Sequence, residues 1–402
     1  MNALAALLSL LLTAAPPAEQ LGRQVKLKIL VDKVLQQHGK WVTEEWMVKE
    51  SAAAGFNVYS PRRGFDDLAA VKQVTAWCAA ADIYHLVWMR GTLDAPAGAE
   101  SAGRRLVWAS GVEQALWSPN SDEFWDWTTR YIVEYAKISA TMPALLGVFL
   151  DYENYASNKV NNCYDLSYDQ QTLQRFATAQ KVAIPELPTT ERKAWLEGKG
   201  LHEAFATWQV SQWRERCRKL RQAVDAHNPA FRFCIYPAPG TPFMVEATYP
   251  EWSTAAAPLI LGDPWTYGRS SRFQPQDVAL EANRQIMLRG QAIPKEKGIP
   301  YLYTGGIDPV VAGADPEFSG KNALMLAEVS DGYWIFYEGP TYTKDDHKEY
   351  WKWFTWANKA MDEGRFAAWR TPRETPEDWS LAVFDQMKDG PRLVAPPPPA
   401  AA

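Results

Sequence analysis

"GVFLDYENYA" runs from Gly147 to Ala156, and it turns from apolar to acidic within four residues. Val148 to Leu150 have strand character, yet the run ends in two carboxylates, Asp151 and Glu153, separated by Tyr152. Side chains alternate along a strand, so Phe149, Asp151 and Glu153 share one face and Val148, Leu150 and Tyr152 the other. Whether the acids cap a solvated strand end or face something they bind depends on the sheet around them.

Working outward, strand-like and helix-like segments alternate along the chain. Strands are expected at 25–34, 56–62, 83–91, 145–153, 231–237, 257–265, 299–306 and 330–339. Helices are expected at 43–55, 66–82, 121–140, 170–182, 202–227, 277–290 and 344–364. Thr43 with Glu44 and Glu45 favours one helix start, Gly55 closes that helix, and Ser121 with Asp122 caps another. Eight strands, nearly all separated by helices, predict an α/β fold, a (β/α)8 TIM barrel forming a single catalytic domain over 24–390. A doubly wound sheet would carry a Gly-rich turn after its first strand, and "VDKVLQQHGK" has no GxGxxG.

Composition narrows the function. The 42 basic and 47 acidic residues are mixed along the chain, with no Lys/Arg block to serve as a nucleic-acid footprint. Five dispersed His and no HExxH or CxxC argue against a metal centre, and no GxSxG marks a serine nucleophile. No cofactor is expected. The 19 Trp are mostly packing, Trp351, Trp353 and Trp356 among them, but those at strand ends offer plates on which a sugar ring can stack.

Residues 1–20, with an apolar run over Ala3–Leu12 and small residues after it, read as an export signal too short to span a bilayer. No other apolar segment approaches 18 residues, so no membrane span is expected. Cys78, Cys163, Cys217 and Cys234 allow one or two disulfides without deciding which. Residues 391–402 are a Pro/Ala tail. The oligomeric state is not legible.

In this architecture the C-terminal strand ends build the active site. Those ends supply Asp32; Tyr59 and Arg62; Trp88 and Arg90; Asp151, Glu153 and Asn154; Tyr236; Asp263, Trp265 and Tyr267; Tyr303 and Asp308; and Glu338. Acids interleaved with aromatics suit a carbohydrate substrate. Unpaired carboxylates among helices would cost several kcal/mol each. Val148, Leu150 and Tyr152 are therefore expected outward, with Asp151 and Glu153 at the barrel mouth roughly 6–7 Å apart along the strand. There Asp151 can raise the pKa of Glu153 toward that of a general acid.

"LDYEN" at 150–154 resembles the end of the chitinase-type motif DxxDxDxE on the fourth barrel strand, although Phe149 stands where that motif carries an earlier acid. The resemblance implies a proton-donating Glu153, with Asp151 assisting a substrate acetamido group and Tyr267 or Tyr303 supporting its oxygen. More broadly, the chain looks like a divergent glycoside-hydrolase barrel. Direct mechanisms need a second acid, for which Asp263, Glu338 and Asp308 are the candidates. Asp32, Tyr59, Arg62, Trp88, Arg90, Asn154, Tyr236, Trp265, Tyr267 and Tyr303 are the expected substrate-binding set. The expectation is an exported glycoside hydrolase. One rival is a carbohydrate-binding barrel without catalysis, with Glu153 held by Arg62 or Arg90. Another is a metal-dependent hydrolase using Asp32, Asp151, Glu153 and Asp263.

Overall fold

The structure is a computed structural model. It describes residues 16–32, 42–62, 64–154, 164–267, 276–309, 315–337 and 348–370. The barrel strands are β1 (Leu27–Asp32), β2 (Val58–Pro61), β3 (Tyr84–Arg90), β6 (Leu145–Asp151), β7 (Arg232–Tyr236), β8 (Leu259–Asp263), β9 (Tyr301–Ile307) and β10 (Gly332–Tyr337). They close in the order β1-β10-β9-β8-β7-β6-β3-β2, every neighbouring pair parallel. The chain is a (β/α)8 barrel, as the alternation predicts.

An unforeseen antiparallel hairpin, β4 (Arg105–Val107) with β5 (Glu113–Trp117), fills the connection after β3. The helices are α1 (Glu45–Ala53), α2 (Leu68–Ala80), α3 (Asp122–Thr141), α4 (Gln170–Gln180), α5 (Arg192–Gly198), α6 (His202–Asp225), α7 (Pro242–Trp252), α8 (Gln276–Gly290), α9 (Ala292–Glu296), α10 (Pro316–Val329) and α11 (Lys348–Asp362). Their starts follow capping chemistry. Asp67 accepts from the N–H groups of Ala69 and Ala70, Ser121 from Phe124, and Asp315 from Phe318. Helices α7 and α10 complete crossovers where no helix was expected.

Two apolar layers follow from the strand alternation. Leu27, Ile29, Val31, Leu86, Trp88, Phe149, Cys234, Tyr236, Ile260, Leu302, Trp334 and Phe336 fill the barrel interior. Val87, Val148, Leu150, Tyr152, Phe233, Ile235, Leu259, Leu261, Tyr303, Tyr333 and Ile335 belong to the outer layer shared with the helices. Trp334 lies across two inward glycines: a Cβ on Gly306 would stand 2.7 Å from its Cζ2, and one on Gly262 3.4 Å from its Nε1. Those missing side chains are the space the indole occupies.

The segment before β1 closes the opposite end. Leu21 is fully buried in the interior cluster, and the buried Arg232 donates to Leu21 O at 3.0 Å and Ala18 O at 2.5 Å. Cys78, Cys217 and Cys234 are buried free thiols, while Cys163 lies outside the described residues. The signal at 1–20 falls there up to residue 15, as does the tail at 391–402.

Candidate active site

Strand β6 delivers its acids to the mouth because its apolar residues settle the other face. Val148, Leu150 and Tyr152 pack into the outer layer, and Gly91 makes room for the Tyr152 ring, whose Cδ1 would lie 2.5 Å from a Cβ there. Asp151 is fully buried and ion-paired with Arg90 at 3.2 Å and Arg62 at 3.8 Å. Its Oδ1 also accepts the Glu153 backbone N–H at 3.0 Å. Burial pushes the Asp151 carboxyl upward, and the two guanidiniums and that N–H pull it partly back. Asp151 thus fixes the backbone carrying Glu153, whose own side chain is partly exposed.

Arg62 is wedged by aromatics, its guanidinium 3.6 Å from the Trp88 ring and 5.1 Å from Phe336. Both rings sit on inward faces. Opposite them, the Tyr267 hydroxyl donates to the Tyr236 hydroxyl at 2.5 Å. Burial raises the pKa of both phenols, and the charges of Glu153 and Asp308 push each further up. Asp151 adds its charge at Tyr236, so carboxylates from the ends of both β6 and β9 bear on this hydroxyl pair. Asp308 is buried, and its N–H donates to Tyr267 O at 3.1 Å. Trp334 forms the floor, edge-on to Tyr236 at 4.8 Å and Tyr267 at 5.4 Å.

Three expected site residues face the helices instead. Asp263 shares a face with Leu259 and Leu261, and Tyr303 Oη donates to its Oδ2 at 2.7 Å beneath Gly290 of α8. Burial lifts Asp263 to about 6, against the opposing hydrogen bonds from Tyr303 and the Trp265 N–H. Tyr59 is likewise buried in the outer layer. Asp263, Tyr59 and Tyr303 are corrected from mouth residues to buried supports. The four-carboxylate metal set also loses its convergence, because Asp263 points away.

Trp265, after β8, is 68% exposed and available as a plate, while Asn154 is buried with neither amide atom partnered among the described residues. Asp32 is the last residue of β1, in register with Pro61 and Tyr337. Glu338 lies outside the described residues. Phe336 and Trp334 were not anticipated as site residues, although the alternation in "GYWIFY" (332–337) would place them together on one face.

The chitinase-type pattern stops at Asp151. A Cβ at position 147 would stand 1.9 Å from Arg232 O, so β6 and β7 run too close there for any side chain. The glycine is a packing requirement of the β6–β7 pair.

No protein-family model and no curated protein sequence matches the chain. Its fold is similar to solved β-galactosidases. That of Rahnella sp. R3 is 12% identical with a TM-score of 0.52, covering 87% of this chain and 58% of the other. That of the Antarctic haloarchaeon Halorubrum lacusprofundi is 11% identical with a TM-score of 0.52, over 84% and 58%. That of the psychrophilic Marinomonas ef1 is 9% identical with a TM-score of 0.51, over 90% and 66%. The chain spans about three-fifths of the length of these enzymes. At such identities the likeness is one of fold, and the folds it resembles are those of glycoside hydrolases.

Proposed function

We propose that the chain hydrolyses glycosidic bonds in an oligo- or polysaccharide at the barrel mouth. Glu153 gives its proton to the leaving oxygen as the C–O bond breaks. Asp308 serves the anomeric carbon, either attacking it or drawing the proton from a water that does. The observation carrying this reading is that β6 and β9 end in Glu153 and Asp308 at the rim that holds the Tyr236–Tyr267 hydroxyl pair, the first fixed through its N–H on Asp151 and the second through its N–H on Tyr267 O. Paired carboxylates around one reacting centre are what glycoside hydrolysis requires. Asp151 acts as a positioning residue through the Glu153 N–H, Arg62 and Arg90 frame the mouth, and Trp265 offers a stacking surface.

The Glu153→Gln variant tests this on a panel of aryl glycosides and polysaccharides. Its kcat should fall by about 10²–10⁴-fold. The loss should be larger for poor leaving groups, which need the proton most. Undiminished hydrolysis overturns the assignment. Wild-type protein that binds sugars but turns none over would select the binding-only barrel. The first-formed anomer, read by NMR, distinguishes a covalent role for Asp308 from a base role. Inhibition by a thiazoline analogue of N-acetylglucosamine would instead favour substrate assistance.

Export belongs to the same proposal. Pro16 to Val25 lines the barrel floor, Tyr84 Oη donating to Pro16 O at 2.8 Å, so a cleaved leader would end before Pro16 and not at residue 20 as the apolar run suggests. N-terminal sequencing of material recovered outside the cytoplasm checks this; a retained, uncleaved chain refutes it.

A further inference from the structure

Helix α10 carries Asn322, fully buried at the head of the apolar run "ALMLA" (323–327). A mid-helix amide gives the helix little and costs free energy to bury, so its partners account for it. Its Nδ2 donates to Thr266 O at 3.0 Å, and its Oδ1 accepts from Asn283 Nδ2 of α8 at 3.2 Å. Thr266 and Asn283 are fully buried as well. Chemistry settles the orientation of the amide, because a carbonyl oxygen only accepts and the NH2 must therefore face Thr266.

That bond holds the peptide plane between Thr266 and Tyr267, in the turn that follows β8. At the other end of the plane the Tyr267 N–H donates to Pro264 O at 3.2 Å. Two further bonds tie the turn to the end of β9: Thr266 Oγ1 donates to Gly306 O at 3.1 Å, and the Asp308 N–H to Tyr267 O at 3.1 Å. The plane thus stands directly before the residue whose hydroxyl donates to Tyr236 and whose carbonyl receives the Asp308 N–H. Turning it would swing both away together. Nor is the asparagine pair the filling that stability alone favours, since Asn283 Oδ1 is buried with no partner among the described residues.

We propose that Asn322 is a positioning residue of the active site, an inference that rests on the reading of Asp308 as the second acid of the reaction. Its NH2 locks the plane that sets Tyr267 and, through the Tyr267 carbonyl, the backbone bearing Asp308. It serves the β8–β9 side of the mouth as Asp151 serves β6, but from the layer of helices outside the barrel. Loss of the amide frees the plane to rotate. A misplacement of about 1 Å in a reacting group can cost about 10²-fold in rate, even when its cause lies away from the chemistry.

Asn322→Ala and the nearly isosteric Asn322→Leu both remove the donor, while Asn283→Ala loosens the same cluster and spares the bond to Thr266. Near-UV circular dichroism establishes which variants are folded. In the Asn322 variants, amide hydrogen exchange at Asp308 should quicken by about tenfold or more, while exchange at Glu153 stays as in wild type. On a glycoside that the wild type cleaves, their kcat should fall by about 10–100-fold with KM within about twofold. Asn283→Ala should leave both readouts near those of wild type. The proposal is overturned if whichever Asn322 variant folds exchanges Asp308 as slowly as wild type does. It is also overturned if Asn283→Ala lowers kcat as far as the Asn322 variants do, which would make the cluster merely structural. Exchange needs no turnover, so it decides the clamp whether or not glycosides are cleaved. Asp308→Asn with undiminished kcat would overturn the assignment of Asp308 and not the clamp.

Discussion

Asp263 carries a carboxyl into the layer between barrel and helices, where its partners are Tyr303 Oη and the Trp265 N–H. Its pKa of about 6 stands above the roughly 3.9 of an unfolded Asp. The folded chain therefore holds a proton through the window between these values that the unfolded chain has released, and stability falls as pH rises through it. The cost of ionising Asp263, about 3 kcal/mol, is absent below pH 4 and complete above pH 7. Asp263→Asn should flatten this: measured by urea denaturation, the variant should gain about 3 kcal/mol relative to wild type between pH 4 and pH 8. A difference that does not change with pH would rule it out. At this scale the sequence was only half legible. Both faces of a barrel strand are buried, so polarity does not assign Tyr59 to the helices or Ser60 to the interior. In β8 the inward position next to Asp263 is Gly262, which has no side chain to betray the register. Asp151 and Glu153 could be placed because Val148, Leu150 and Tyr152 leave them one face.

The barrel strands were the legible elements, being apolar runs spaced by amphipathic helices. Helix α7 went unread because Pro242 opens it and Pro250 sits inside it, both normally marks of a loop. Helix α10 is buried along most of its length, so it lacks the polar stripe that exposes a surface helix to pattern reading. Strands β4 and β5 are three and five residues long, too short to show a period. Packing between elements also yields a prediction. Strand β9 reads "YLYTGGI" with Gly306 facing inward, and the Trp334 indole from β10 occupies the vacated volume. In Gly306→Ala the new methyl would lie 2.5 Å from Asp263 O as well as against the indole. Overpacking of this kind costs about 1–3 kcal/mol, which should appear as a lower denaturation midpoint with an unchanged slope. An unaltered midpoint would show that Trp334 does not depend on that space.

For the molecule as a whole, the floor is as consequential as the mouth. Arg232 is buried with its pKa pushed down to about 10, chiefly by burial, and carbonyls of the segment before β1 receive its guanidinium protons. A chain beginning at Lys26 would leave that charge without those partners and uncover Leu21's place in the interior. Thermal melts should show it less stable than a chain beginning at Pro16, by about 3–5 kcal/mol. Equal melting would mean the barrel closes without its plug. The 1.9 Å approach at Gly147 has a consequence on a longer timescale. Any mutation there that adds a side chain pushes β6 off β7 before it can contribute chemistry, so selection meets a loss of fold first. Descendants of this chain can vary Asp151, Glu153 and the loops beyond them, but position 147 is closed to single steps.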